Sequence, residues 1–149
     1  YAIWKGLVGS EMCIRDRWIE KFNKPYKEKI KKLTFKFADI KKGETMLVSS
    51  PSSIAKFIKK IPKGKKKTIV EMRNALAKKA KANKTCPVST GIFLRIAIEA
   101  SLEEQRKKKL KKPKLPFWRI IDEKTAVAKK LSISKKLLNT YINQELRNE

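Results

Sequence analysis

Apolar residues recur at helical spacing in the middle of the chain, and prolines, glycines and small polar residues mark where each stretch begins and ends. In residues 51–61, Pro51 follows a serine cap signal at a first-turn position, and Pro62 with Gly64 ends the pattern. The apolar positions three and four apart are Ile54, Phe57, Ile58 and Ile61. This spacing predicts a short amphipathic helix.

Two more helical patterns follow, in residues 68–80 and 86–108. The first opens with Thr68 and Glu71 at capping-box spacing and carries a stripe of Ile69, Met72, Leu76 and Ala80. The second opens at Pro87 and is apolar at Phe93, Ile96, Ala97 and Ala100. Two helices joined by a short polar link are typical of a helix-turn-helix, whose second helix enters the major groove. An ordinary helical hairpin has the same pattern and is the alternative.

The stretch "LPFWRIID", residues 115–122, predicts a strand after these helices. Side chains alternate between the two faces of a strand, so Phe117 and Arg119 share one face and Trp118 and Ile120 share the other. We therefore expect Phe117 to line a cleft beside the predicted recognition helix with Arg119 near it, and Trp118 to pack inwards or under a closing helix. In the alternative, both rings belong to the core.

The ends of the chain differ from this middle part. Residues 11–17, "EMCIRDR", resemble a translated sequencing adapter, so we interpret residues 1–17 as an artefact, with a natural extension as the alternative. Residues 18–50 are predicted to form a peripheral arm, and residues 51–149 the main domain. Near the end, apolar positions predict a closing helix or, alternatively, a second helix-turn-helix: Val127, Ala128, Leu131, Ile133, Leu138 and Tyr141.

The charge of the chain indicates a polyanionic partner. Lys and Arg number 39 against 14 Asp and Glu, a net charge of +25. Self-repulsion on this scale destabilises the compact state, and nucleic acid would neutralise it. Double-stranded DNA is the predicted partner, while a lysine-rich proteome or an anionic membrane surface is the alternative explanation. Apolar stretches fall short of the roughly 20 residues of a membrane span, so we expect a soluble monomer without a membrane partner.

The residue types that are missing restrict the chemistry. The chain has no histidine, so no histidine relay and no histidine-containing zinc site can form. We therefore predict no enzymatic activity, no metal and no cofactor. Cys13 and Cys86 lack CxxC spacing, which indicates free thiols in a reducing, cytoplasmic compartment.

Two lysine runs flank the predicted helix-turn-helix. The first lysine run is Lys59, Lys60, Lys63, Lys65, Lys66 and Lys67, and the second is "RKKKLKKPK", residues 106–114. Both suit contacts to phosphates, with a merely solvated face as the alternative. The predicted DNA-binding residues are Lys63, Lys65, Lys66, Lys67, Thr68, Arg73, Lys84, Thr85, Ser89, Thr90 and Arg95.

Three motifs in order, "IPKGKKKT", "TCPVSTGIFLRIAIEA" and "LPFWRIID", resemble the DNA-binding domain of the alkylguanine-DNA alkyltransferase family. The resemblance covers most of the chain from Trp18 and implies a mainly α, winged helix-turn-helix-like fold with a short β element and a closing C-terminal helix. Phe117 stands where the family has its alkyl-accepting cysteine, and Trp118 where it has the activating histidine. The resemblance therefore implies an alkyltransferase-like protein that binds alkylated or flipped-out bases without repairing them.

The implied base pocket consists of Pro116, Phe117, Trp118 and Arg119, where a flipped base would stack. The chain departs from the family at two positions. Ile69 stands where the family has a tyrosine. Gly91 stands where the family has an intercalating arginine, and Arg95, one turn later, is the candidate substitute. The alternatives are a basic RNA- or ribosome-associated protein and a methyltransferase relative with residual activity.

Overall fold

The structure, a computed structural model, describes residues 17–147. Apart from Arg17, the segment that we interpreted as an artefact lies outside the described residues, and so does Cys13. Five α-helices occur in the described part: α1 (Trp18–Asn23), α2 (Pro51–Lys59), α3 (Ile69–Ala80), α4 (Pro87–Lys107) and α5 (Lys135–Arg147). The strands are β1 (Lys29–Lys32), β2 (Thr45–Val48) and β3 (Lys84–Thr85). The fold is mainly α with one small sheet and a closing C-terminal helix, as predicted.

The predicted helix starts are confirmed by their caps. The side chain of Ser50 accepts a hydrogen bond from the Ser53 backbone N–H, and Pro51 occupies the first turn of α2. At the start of α3, the Thr68 hydroxyl accepts from the Glu71 N–H at 3.1 Å, while the Glu71 carboxylate accepts from the Thr68 N–H at 2.9 Å. These bonds satisfy backbone donors that the first helical turn leaves unpaired.

The sheet sets the direction of the two helices that run to the candidate site. β1 pairs antiparallel with β2, with Lys29 opposite Val48, and β2 pairs parallel with β3, with Met46 opposite Lys84. Because β2 precedes α2 and β3 precedes α4, both helices begin beside the sheet. α2 and α4 lead away from the sheet, and one lysine run begins at the C-terminal end of each of these helices. Residues 18–50, predicted as a peripheral arm, supply two strands of this sheet and the helix α1 that packs on α4.

Helix α4 is the centre of the core. Leu94, Ile98 and Leu102 are fully or almost fully buried on it, and α1 and α2 pack against it. Two of its carboxylates are buried as well. Glu99 accepts hydrogen bonds from the backbone N–H and the hydroxyl of Ser132, and Glu103 accepts one from the backbone N–H of Ile19 at 2.6 Å. Both carboxylates thereby tie a distant segment to α4.

The segment "LPFWRIID" is not a strand, so that prediction was wrong. Residues Phe117–Arg119 form a 3-10 turn in which the Arg119 N–H donates to the Pro116 carbonyl and the Ile120 N–H to the Phe117 carbonyl. Local hydrogen bonds, and not sheet pairing, form this turn. Successive side chains of a 3-10 turn point about 120° apart, so its three residues face three directions instead of two.

The last helix closes the core beside this turn. Leu138 and Tyr141 on α5 are buried, and the Tyr141 ring lies 5.1 Å from the Trp118 ring and 6.2 Å from the Phe117 ring, centroid to centroid. The predicted alternative of a second helix-turn-helix fails, because residues 128–130 form only a 3-10 turn before α5 begins.

Replacing Phe117 by Ala is expected to lower the free energy of unfolding by about 3–5 kcal/mol, because the Phe117 ring has no exposed surface and its loss leaves a cavity. Phe35→Ala is the matched control, since that ring is 62% exposed and its removal should change stability by less than about 0.5 kcal/mol. Urea denaturation measures both. Equal stability of the two variants would contradict the core position of Phe117.

Candidate nucleic-acid interface

The two lysine runs meet at a cleft with a volume of about 380 Å³, which we call the basic cleft. The C-terminal end of α2, the second lysine run, the Phe117 turn and α5 form its walls. Its lining residues are Lys59, Lys63, Lys112, Pro113, Lys114, Pro116, Trp118, Arg119 and Glu145. Five of these side chains are cationic and one is a carboxylate, so the cleft suits an anion.

The Glu145 carboxylate joins three segments at the floor of the cleft. It accepts a hydrogen bond from the backbone N–H of Gly64 at 2.9 Å, one from Arg119 Nε at 2.7 Å and one from the indole N–H of Trp118. Arg119 also donates from Nη1 to the Ile61 carbonyl at 2.8 Å. The loop after α2, the Phe117 turn and α5 are therefore fixed to one another at this point.

The local backbone and charge both favour this arrangement. Gly64 has φ of 80°, a left-handed conformation that glycine adopts without steric cost, and in it the N–H points to Glu145. Burial alone raises the pKa of the Glu145 carboxyl, but the three donors and the guanidinium charge outweigh it. The pKa therefore lies below its ordinary value of 4.5, and the carboxylate is ionised at neutral pH.

The lysines at the rim differ in their partners. Lys114 lies 3.1 Å from the Glu104 carboxylate, which also binds Lys108 at 2.8 Å. Within residues 17–147, no carboxylate lies within ion-pair distance of Lys59, Lys63 or Lys112. These three ammonium groups are available to an external anion.

The structure places both rings in the core, which was the predicted alternative, and the cleft position expected for Phe117 was wrong. Phe117, expected in the cleft, is 0% exposed and packs in the core, whereas Trp118 is 8% exposed, packs under the closing helix against Tyr141 as expected, and also borders the basic cleft with Arg119. The reason is the 3-10 turn, which separates Phe117 from Arg119 and turns Trp118 towards Glu145. Of the predicted base pocket, Pro116, Trp118 and Arg119 line the cleft, and Phe117 does not.

The predicted DNA-binding residues fall into an exposed group and a group engaged inside the molecule. Lys63, Lys65, Lys66, Lys67 and Thr68 are exposed between α2 and α3, with Lys66 3.2 Å from Asp122 and Thr68 serving as a cap. Arg73 and Lys84 bind Asp39 at 2.8 and 3.9 Å, and Arg73 also donates to the Thr85 carbonyl.

The start of the predicted recognition helix, now α4, presents few free polar groups. Thr85 and Thr90 are buried and donate to the carbonyls of Arg73 and Cys86. The hydroxyl oxygen of Ser89 is buried, and the Arg95 guanidinium lies 5.1 Å from the centroid of Trp18. Contact of Arg73, Thr85 or Thr90 with DNA would break these internal bonds. We therefore no longer assign them to the interface, because tertiary packing engages polar groups that the sequence pattern leaves free.

Sequence reasoning did not single out Glu145, which organises the cleft. A signal was present: the chain has only 14 acidic residues, and Glu145 falls four positions after the apolar residue Tyr141, on the predicted inner face of a helix. Its three donors come from segments 26 to 81 residues away, and their proximity has no local sequence signature.

Two further properties limit the chemistry of the described part. Within residues 17–147, no group of three Cys, Asp or Glu side chains is arranged to hold a metal ion. None of the described helices is both long and apolar enough to cross a membrane.

Comparison of the chain with models of protein families, with curated proteins and with solved structures gives no match.

Replacing Glu145 by Gln is expected to lower the free energy of unfolding at neutral pH by about 3 kcal/mol, because Arg119 loses its charged partner in a largely buried site. The native pKa of Glu145 lies below its ordinary value, so its stabilising contribution is present above 4.5 and is lost as the pH falls through the lower native value. Urea denaturation at successive pH values should show a steeper acid loss of stability in the wild type than in Glu145→Gln.

Glu20→Gln is the control, because Glu20 pairs with Arg17 at the surface, and its stability should match the wild type at every pH. If Glu145→Gln were as stable as Glu20→Gln, the carboxylate would not hold the cleft together.

Proposed function

We propose that this protein is a non-enzymatic nucleic-acid-binding protein that holds the phosphate backbone of DNA in the basic cleft. The observation that carries the proposal is the meeting of two lysine runs, distant in sequence, around one cleft in which Lys59, Lys63 and Lys112 have no acidic partner among the described residues. Such contacts position a polyanion and release its counterions, and they are independent of base sequence.

The net charge of +25 supports the same proposal. Keeping several ammonium groups close together without acids costs free energy through repulsion, and a bound polyanion removes that cost. Exposed lysines at positions 65–67 extend the positive surface beyond the cleft. A cytoplasmic location and a monomeric state belong to the proposal.

Binding without catalysis is the form that the residues at the cleft support. Catalytic groups with a nucleophile and a base are the usual means of activating a thiol or hydroxyl. In their place the cleft holds lysines, an indole that donates to Glu145, and an arginine paired with the same carboxylate. Cys86 is buried at the start of α4, beside the sheet and away from the cleft.

The proposal extends to modified DNA through Trp118. The sequence resembles alkyltransferase-like proteins, and the ring that borders the cleft, next to Pro116 and Arg119, is that of Trp118. Because Trp118 is only 8% exposed, an extrahelical or alkylated base brought to the cleft by its phosphates would contact the small accessible part of this residue, beside Pro116 and Arg119. RNA offers the same phosphates and is the second candidate partner, favoured equally by the lysines of the cleft.

Neutralising the cleft in the triple variant Lys59→Gln, Lys63→Gln, Lys112→Gln is expected to weaken binding and its salt dependence. For the wild type, about six phosphate contacts give a slope of log K against log salt near −5. Each lost contact makes this slope shallower by about 0.9, so the slope of the triple variant should be shallower by about 2.7. Fluorescence anisotropy with a labelled duplex at several salt concentrations measures the slope.

The matched control is the triple variant Lys78→Gln, Lys79→Gln, Lys81→Gln. These three lysines are exposed at the end of α3, and replacing them changes the net charge by the same amount. A wild-type slope shallower than about −2, or equal slopes for the two triple variants, would refute the cleft as the phosphate site. Parallel titrations with an alkylguanine-containing duplex and with RNA of the same sequence rank the three nucleic acids.

A further inference from the structure

A second positive surface lies at the opposite end of the molecule from the basic cleft. Residues 27–42, which we call the lysine hairpin, contain seven lysines, all exposed: Lys27, Lys29, Lys31, Lys32, Lys36, Lys41 and Lys42. The hairpin pairs with β2, beside the start of α4, whereas the second lysine run begins at the end of α4. α4 has 21 residues and is therefore about 30 Å long, and the two lysine-rich segments lie near its two ends.

The acidic residues in and beside the lysine hairpin bind groups other than the side chains of its lysines. Glu28 accepts hydrogen bonds from the hydroxyls of Ser50 and Ser53, and Asp39 binds Arg73 at 2.8 Å. Glu44 accepts from the backbone N–H of Lys41 at 3.1 Å. Among the described residues, none of the seven hairpin lysines has a carboxylate within ion-pair distance.

One aromatic ring stands out of this surface. Phe35 is 62% exposed, between Lys32 and Lys36, and it belongs neither to the core nor to any ring pair of the described part. Lysines on an edge strand also prevent strands of different molecules from pairing, which accounts for Lys29, Lys31 and Lys32. Protection of the edge strand does not account for the exposed Phe35, because an exposed apolar ring at a sheet edge favours association between molecules.

The hairpin is held in place on both sides of Phe35. Tyr26, just before the hairpin, packs edge-on against Phe93 of α4 with ring centroids 5.1 Å apart. Beyond Phe35, the backbones of Phe37 and Ile40 exchange hydrogen bonds of 2.9 and 2.8 Å, and Asp39 pairs with Arg73. The ring is therefore presented to solvent from a fixed backbone, which lowers the entropy cost of using it for binding.

We propose that the lysine hairpin is a second nucleic-acid contact, in which Phe35 stacks on an unpaired base while the surrounding lysines bind the neighbouring phosphates. A single ring among seven cations matches a single strand, whose base faces are open and whose phosphates flank every base. In a duplex the base faces are covered by their neighbours. One phenylalanine and the half-exposed Ile30 are too little apolar surface for a stable protein interface of about 800 Å² per partner.

This inference rests on the proposed function and specifies its substrate: nucleic acid with a single-stranded part. The test uses the full chain and fluorescence anisotropy at one low salt concentration. The probes are a single-stranded oligonucleotide of about 20 nucleotides, longer than one typical site, and a blunt duplex of the same sequence. Phe35→Ala is expected to weaken binding to the single strand by about 5-fold to 150-fold and to leave duplex binding within about twofold.

Two control variants separate stacking from general effects. Phe35→Trp keeps a flat ring and should bind the single strand at least as tightly as the wild type. Val70→Ala removes a similarly exposed apolar side chain on α3 and should bind both probes like the wild type. Phe35→Ala behaving like Val70→Ala, or losing equal affinity for both probes, would overturn the stacking assignment.

The outcomes also distinguish this inference from the proposed function. If the duplex binds through the cleft lysines while Phe35→Ala has no effect on the single strand, the hairpin proposal alone fails. If the wild type binds neither probe, the proposed function fails with it. Vesicles containing phosphatidylserine are the third probe: loss of vesicle binding in Phe35→Ala, with unchanged binding to the single strand, would assign the hairpin to a membrane surface and overturn the proposal.

Discussion

The ionised, buried carboxylate of Glu145 is the interaction on which the candidate site depends. The two lysine runs repel each other, and nothing in their own sequence draws them to one cleft. Glu145 supplies the missing attraction, because it binds the Gly64 backbone within the first run and the Trp118 and Arg119 side chains after the second. The same three bonds fix α5 over the core. One acidic residue thus connects the fold of the C-terminal part to the shape of the positive surface.

Several other acids of the described part also bind groups inside the molecule. Glu99 and Glu103 are buried on α4 and bind the Ser132 and Ile19 backbones. Asp39 and Glu71 organise the turn near α3 and the start of α3 itself. Because several of the few acids serve structural roles, Lys59, Lys63 and Lys112 of the cleft and the seven hairpin lysines have no ion-pair partner within residues 17–147. The fold thereby creates positive surfaces at both ends of α4, and a polyanion is the partner that both surfaces suit.

Local sequence patterns were sufficient to predict where the helices begin, but they were insufficient to predict the arrangement of the candidate site. The cap at Ser50, the capping box at Thr68 and Pro87 in the first turn of α4 each act within a few residues, so the helix starts were predictable. The strand predicted for "LPFWRIID" was wrong because apolar runs of this length fit a strand or a turn equally well, and packing against Tyr141 decided between them. The burial of Phe117 and the role of Glu145 arise from contacts between distant segments, which no local pattern encodes.

The most direct test of the basic cleft as the nucleic-acid site is the indole N–H resonance of Trp118 in an NMR titration with DNA. Its N–H donates to Glu145 at the cleft floor, and Trp118→Phe assigns its signal among the three tryptophans. DNA phosphates on Lys59, Lys63 and Lys112 would change the electrostatic field at this hydrogen bond. The account predicts a shift that saturates together with binding and exceeds that of Trp18. Saturated binding with an unmoved Trp118 resonance would contradict it.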